Sequence, residues 1–204
     1  MLTSRYTGSP ESMFDYDIRQ IYSLGIEKYS DSLIRGKMSD AFWDIELPQQ
    51  MTSAVVSSPH FHLYLAAQVK LHDKGFLSRD ISVRELIEHR SDLHHIFPRE
   101  YLKRNGLTKG QYNQVANYVV SQSEINIAIG KKEPKLYFSE IMEQCQGGVK
   151  KYGNITTEVE LAENIRMNCI PESIRGMTVA DYPEFLNQRR ILMAQKIKEY
   201  FGSL

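Results

Sequence analysis

A short stretch near the middle of the chain combines side chains that suit the hydrolysis of phosphodiester bonds. It holds the adjacent histidines His94 and His95, followed by Ile96-Phe97-Pro98 and later by Asn117 and Asn126. A histidine can take a proton from water near neutral pH, and a divalent metal can neutralise the charge that builds on the phosphate and on the leaving oxygen. Metal-dependent phosphodiester hydrolysis is therefore the chemistry to consider for these residue types.

Taken one at a time, these residues also have simpler interpretations. A single asparagine usually serves in a turn or a cap, and the two histidines could be ordinary surface or capping residues. Neighbouring residues of a strand point to opposite faces, so His94 and His95 can flank one site only if the chain bends, for which Pro98 is the candidate. Asp92 could add a carboxylate near the metal, although a local cap or ion pair is the commoner role.

Hydrophobic spacing and capping residues predict helices on both sides of this stretch and short strands within it. The predicted helices cover residues 12–24, 61–71, 82–89, 123–131, 134–144, 159–168 and 182–201. A further short segment opens at 39–43 and ends near Pro48, residues 94–98 are partly β-like, and residues 118–120 are typical of a strand.

The last predicted helix carries a broad apolar stripe from Phe185 to Phe201. We expect this stripe to pack on the N-terminal helices, through Leu65 and Val69. Arg189 and Arg190 lie on the same helix, where a structural or salt-bridge role is the simplest interpretation. The expected fold is one mainly α globular unit, with helical regions over 1–90 and 147–204 and a compact insert over 91–146.

The insert resembles the ββα-metal motif of HNH nucleases, in which two strands and a helix surround one metal. The likeness rests on the segment 94–98 and on Asn117 and Asn126, which lie nine positions apart. That step spans one strand and the first turn of a helix capped by Ser123. Nearly the whole chain is similar to the C-terminal half of GmrSD-type modification-dependent restriction enzymes, through residues 7–11, 64–70, 94–98 and 185–201.

The resemblance implies a role for each residue of the set. His95 would be the general base and Asn117 the residue that orients it, while His94 and Asn126 would bind the metal. Many HNH nucleases have an aspartate where this chain has His94. Imidazole and amide ligands suit Mn²⁺, with Ni²⁺ or Zn²⁺ as alternatives, better than Mg²⁺, although Mg²⁺ is the abundant ion in cells.

The same resemblance implies DNA as the substrate and a partner that reads it. In that family a ParB-like, nucleotide-hydrolysing half precedes the nuclease half, and the enzymes restrict invading DNA with modified bases. Nothing like that half is found in these 204 residues, so we expect it as a separate partner or a missing part. The alternative is a non-catalytic module that binds DNA or a partner on an HNH scaffold.

The charge of the chain limits how it can bind DNA. Its formal net charge is +0, which excludes a molecule that is basic throughout, so contacts to phosphates must come from a local patch. Arg99, Lys131 and Lys132 are the candidates, although a solvated charged face explains them nearly as well.

Cysteine usage and hydropathy indicate where the protein works. Cys145 and Cys169 lie 24 positions apart without CxxC partners, so a zinc ribbon is excluded and a disulfide framework is not expected. No apolar run approaches the length of a membrane span, and the first residues lack the apolar core of a signal peptide. We therefore expect a cytoplasmic protein without contact to membranes.

Overall fold

A computed structural model describes residues 2–89 and 93–204 of the chain. The fold is mainly helical (64%), with one two-stranded sheet, which confirms the expected α-rich unit. The helices are α1 Pro10–Leu24, α2 Ile26–Lys37, α3 Leu47–Gln50, α4 Pro59–Lys70, α5 Val83–Glu88, α6 Arg99–Arg104, α7 Lys109–Tyr112, α8 Ser123–Ile129, α9 Pro134–Cys145, α10 Glu158–Met167 and α11 Tyr182–Gly202. The strands are β1 Leu93–His95 and β2 Tyr118–Val120, and 3-10 turns cover Val115–Asn117, Glu172–Gly176 and Val179–Asp181.

The first two helices form a hairpin that is held mainly by polar contacts. Asp17 is the buried residue of α1 and Tyr29 that of α2. Arg5 forms an ion pair with Asp17 and donates to the Tyr29 hydroxyl at 2.8 Å, and its guanidinium holds the pKa of the Asp17 carboxyl well below its usual range. The helix predicted over 12–24 is therefore present, but its apolar residues, such as Phe14 and Ile18, are exposed. Helix α2 was not predicted.

The segment before α3 differs from its prediction. A π-helical turn over Phe42–Glu46 runs directly into α3, so Pro48 does not end the helix. Pro48 instead falls in the first turn of α3 and is buried there. Phe42, Trp43 and Leu47 of this segment are buried in the core.

The centre of the molecule is the packing of α11 against α4 and α3. Phe185, Met193 and Ile197 of α11 are at most 1% exposed, whereas Leu192 is only partly buried. Helix α4 buries Phe61 and Tyr64. Its Leu65 and Val69, the predicted contacts for α11, pack against a small cluster of Val83, Leu86 and Val120, and Leu65 packs against the main core as well.

One hydrophobic core includes buried residues from all three regions of the sequence. It extends from Phe42 through Tyr118 to Ile197. The strands at its centre are too short to form a layer of their own, and β2 is entirely buried. The described part of the insert, residues 93–146, is thus built into the helical core rather than set beside it.

The described part of the chain holds no helix suited to a membrane. Across residues 2–89 and 93–204, none combines the length and the hydrophobicity that crossing a bilayer would require.

The buried face of α11 yields a matched test of this architecture. Ile197→Ala should lower the free energy of unfolding by about 2–5 kcal/mol, because it leaves a cavity in a closely packed core. Ile191 lies on the same helix but is 37% exposed, so Ile191→Ala should cost clearly less. Thermal and urea unfolding measure both variants, and equal losses would mean that α11 does not pack as described.

Candidate functional site

The predicted strands and helix follow one another in the expected order around the two histidines. Strands β1 and β2 are antiparallel, with His94 opposite Val119 and His95 opposite Tyr118. Helix α8 begins three residues after β2 ends, at Ser123. Gln122, not the predicted Ser123, occupies the cap position, so Asn126 is the fourth residue of the helix. The chain therefore has two antiparallel strands followed by a helix.

His95 is half-buried and held on several sides. Its Nε2 lies 3.0 Å from Oδ1 of Asn113. The ring packs edge-on against Tyr118 and Tyr112, with centroid distances of 4.9 and 6.4 Å. Because a carbonyl oxygen can only accept, Asn113 requires the proton on Nε2 and leaves the lone pair of the neutral ring on Nδ1.

The environment also changes the acidity of this ring. Burial lowers the pKa of His95 from the ordinary value of 6.5, the hydrogen bond to Asn113 partly opposes this, and the charges of Arg99 and His94 lower the pKa further. The neutral form is therefore favoured near neutral pH, which is the form that can accept a proton from water.

Asn117 has a different partner from the one predicted. It is 0% exposed, and its Oδ1 accepts a hydrogen bond from the backbone N–H of Phe97 at 2.9 Å. Its Nδ2 donates to the carbonyls of Phe97 and Tyr112, both at 3.1 Å. The predicted bond from Asn117 to the ring of His95 is therefore wrong, because the amide is already committed to backbone groups. Asn117 is a positioning residue that holds the chain just after His95, and Asn113 takes the place at the ring.

The two predicted metal ligands lie on different elements. His94 is 8% exposed on β1, and Asn126 is half-buried on α8. The predicted bend occurs at residues 96–97, after both histidines, so alternation along β1 leaves His94 and His95 on opposite faces. Asp92, the further carboxylate considered above, lies outside the described residues.

The commonest metal-binding side chains do not cluster in the described part of the chain. Within residues 2–89 and 93–204, no three side chains of His, Cys, Asp or Glu converge as a metal site would need. The predicted pair of His94 and Asn126 consists of one imidazole and one amide, so its chemistry suits a divalent transition metal whose other positions are filled by water.

Helix α11 positions the segment that carries Asn113 and Asn117. The Tyr182 hydroxyl donates to the Gln111 carbonyl at 3.1 Å. Arg189 is 0% exposed and donates to the Ala116 carbonyl at 2.8 Å and the Asn168 carbonyl at 3.2 Å. The structural role expected for Arg189 is thus a bridge between α11, the turn before β2 and the end of α10.

The predicted phosphate contacts have different surroundings. Arg99 is exposed and pairs with its neighbour Glu100 at 3.2 Å. Lys131 is exposed. Lys132 is partly buried and lies 2.6 Å from both Glu140 and the Tyr152 hydroxyl. Lys132 therefore has a defined structural partner as well as a position near the surface.

The residue that sequence reasoning missed is Asn113. It lies in a polar stretch between α7 and the turn over Val115–Asn117, where an asparagine is commonplace. Its spacing to His95 follows no local pattern, because the contact joins residues 18 positions apart across the hairpin connection. No pattern in the sequence marks this asparagine, and its role is visible only in the folded chain, where Tyr112 and Tyr118 pack around the ring of His95.

Comparisons with known proteins add no family to this description. No protein-family model matches the chain. The comparisons with curated proteins and with solved structures found no match either. The likeness to HNH nucleases and to GmrSD-type enzymes therefore stays a prediction from the sequence.

The surroundings of His95 predict its titration in the metal-free protein. Its NMR midpoint should lie below 6.5, and Asn113→Ala should lower it further because that variant removes the bond that favours the charged ring. Arg99→Gln should raise it, since a like charge is removed. The unfolded state then binds the proton more readily, so this group makes the protein less stable as pH falls below 6.5. A midpoint at or above that value would contradict the described burial.

Proposed function

We propose that this chain is a metal-dependent DNA endonuclease in which His95 is the general base. The observation that carries the proposal is the fixed ring of His95, which Asn113 holds at Nε2 while Tyr112 and Tyr118 pack against it. A general base must be held in place with a free lone pair, and these contacts supply both conditions.

The proton transfer follows from the tautomer. With Nε2 donating to Asn113, Nδ1 would take a proton from the attacking water. The water oxygen would bond to phosphorus as the bond from phosphorus to the leaving oxygen breaks. Asn117 would act at a distance, by holding the Phe97 backbone and with it the chain that follows β1.

The second part of the proposal concerns the metal. His94 and Asn126 would hold a divalent ion, with Mn²⁺ preferred, Ni²⁺ or Zn²⁺ as alternatives, and Mg²⁺ favoured by its abundance. When bound, such an ion would neutralise charge on the phosphate and the leaving oxygen. Since the two histidines lie on opposite faces of β1, the phosphate would have to sit at an edge of the hairpin to meet both groups.

The proposal extends to a role in restriction, on the strength of the sequence resemblance alone. Recognition of modified bases and any use of nucleotides would then belong to a ParB-like partner. The alternative is a non-catalytic module on the same scaffold, which keeps the fold and binds DNA or a partner without cutting. Activity assays on the chain itself separate these proposals.

Nicking of supercoiled plasmid tests the general base. With Mn²⁺ present the wild-type chain should nick, and His95→Ala should nick about 10²–10⁴-fold more slowly, the usual cost of losing a positioned base. His62→Ala is the matched control, because His62 is an exposed histidine on α4. Wild-type rates in His95→Ala would overturn the assignment, and no metal-dependent nicking by the wild type would favour the non-catalytic alternative. Equal rates on modified and unmodified plasmid are expected if a partner reads the bases.

Calorimetric titration with Mn²⁺ tests the metal ligands separately. His94→Ala and Asn126→Ala should each weaken binding by at least about tenfold, since even outer partners of a metal typically contribute about 10–100-fold. Asn105→Ala is the control, because Asn105 is an exposed asparagine at the end of α6. If Mn²⁺ bound equally well to all four proteins, these two residues would not be its ligands.

A further inference from the structure

Two segments that are distant in sequence bring lysines to one carboxylate. Lys132 follows α8, and its Nζ lies 2.6 Å from Oε2 of Glu140 on α9. Lys151 lies in the connection from α9 to α10, and its Nζ is 3.7 Å from Oε1 of the same residue. A single carboxylate therefore serves two ammonium groups, each of which keeps part of its charge unneutralised.

The loop that carries Lys151 is held firmly by a buried glutamine. Gln144 is 2% exposed. Its Oε1 accepts from the backbone N–H groups of Lys151 and Tyr152 at 2.7 and 3.0 Å, and its Nε2 donates to the Tyr152 carbonyl at 3.0 Å. Gly153 has a φ of +57°, and a Cβ there would lie 2.1 Å from the Leu77 carbonyl. The loop is thus preorganised, so little ordering would be needed when its lysines bind a ligand.

Tyr152 joins the two segments. It is 0% exposed, yet its hydroxyl reaches Lys132 at 2.6 Å and also bonds to Glu140. The ammonium of Lys132 lies 5.1 Å from the centre of the Tyr152 ring. These contacts fix the turn after α8 and the loop after α9 relative to each other.

The surface that results is positive although the whole chain is neutral. We define the lysine cluster as Lys131, Lys132, Lys150 and Lys151. Lys131 and Lys150 are exposed, and the side chains of Lys132 and Lys151 are 32% and 47% exposed. Glu133, which follows Lys132, and Glu140 and the exposed Glu143 on α9 are acidic residues near the cluster. The four ammonium groups still outnumber these three carboxylates.

The position of the cluster relates it to the proposed active site. Lys131 and Lys132 follow Asn126 by five and six residues, at the end of α8. Helix α8 ends at Ile129, three residues after Asn126, which is about 4.5 Å along its axis. Lys131 and Lys132 lie just beyond that end, so the cluster borders the end of the helix that carries Asn126.

We propose that the lysine cluster binds backbone phosphates of duplex DNA beside the bond that is cut. The proposal rests on the proposed nuclease function for the place of that bond, but not for the binding itself. Phosphates are contacted without regard to base sequence, so the cluster would position any DNA. It supplies the local patch that a chain of zero net charge needs.

The test is the salt dependence of binding to a short fluorescent DNA duplex, measured by anisotropy in a His95→Ala background that cannot cut. Lys150→Gln with Lys151→Gln should weaken binding. It should also reduce the slope of log affinity against log salt by about 0.9 for each phosphate that is no longer neutralised, between about 50 and 200 mM salt. Lys132 is left unchanged because its contacts with Glu140 and Tyr152 support the loop.

The matched control is Lys28→Gln with Lys37→Gln, which removes two exposed lysines of α2. It should leave both affinity and slope close to those of the background protein. Equal slopes in the two double variants, or no binding of the duplex by the background protein, would overturn the proposal. A reduced slope together with a wild-type chain that does not nick would support the cluster and reject the nuclease, so the two proposals fail separately.

Discussion

The arrangement of this protein depends on one buried cation. Arg189 lies at the centre of the core, with 0% of its surface exposed, and a guanidinium stays charged even where burial lowers its pKa, as here. Among the described residues no carboxylate pairs with it, so carbonyl oxygens must satisfy it. Those of Ala116 and Asn168 accept from its two terminal nitrogens, whereas its buried Nε has no hydrogen-bond partner among the described residues. Since an unpaired buried charge is very costly, α11, the turn before β2 and the end of α10 are locked into one geometry.

The geometry of the candidate site depends on these contacts of Arg189. Ala116 directly precedes Asn117, whose amide spans the backbone of Phe97 and Tyr112. The segment fixed in this way also presents Asn113 to His95. A three-residue strand pairing could not hold the ring of His95 by itself, because so few ladder bonds are easily distorted. The position of the ring is fixed by buried polar side chains that connect the β1–β2 hairpin to α11.

Charge in this molecule is arranged locally rather than globally. Buried pairs such as Lys196 and Asp73, at 2.6 Å, link α11 to the loop after α4 and contribute nothing to the surface. The lysine cluster, in contrast, adds positive charge to the surface, because two of its ammonium groups share Glu140 and remain partly exposed. A net charge of zero is thus compatible with a positive surface beside α8, and composition alone could not have distinguished these two uses of lysine.

Sequence patterns were sufficient to predict the helices with strong apolar periodicity or clear caps, such as α9, α10 and α11, and the strand character of residues 118–120. They also selected His94, His95, Asn117 and Asn126 as one candidate site, which stays a prediction. Helix α2 was not predicted although Ile26, Tyr29 and Leu33 have helical spacing. Pro48 misled because a π-helical turn runs directly into α3. The folded chain was needed to show that Asn117 holds backbone while Asn113 holds the ring of His95. The physical reason is that a side-chain amide satisfies whichever buried donors and acceptors packing brings to it, and no spacing along the chain specifies which those are.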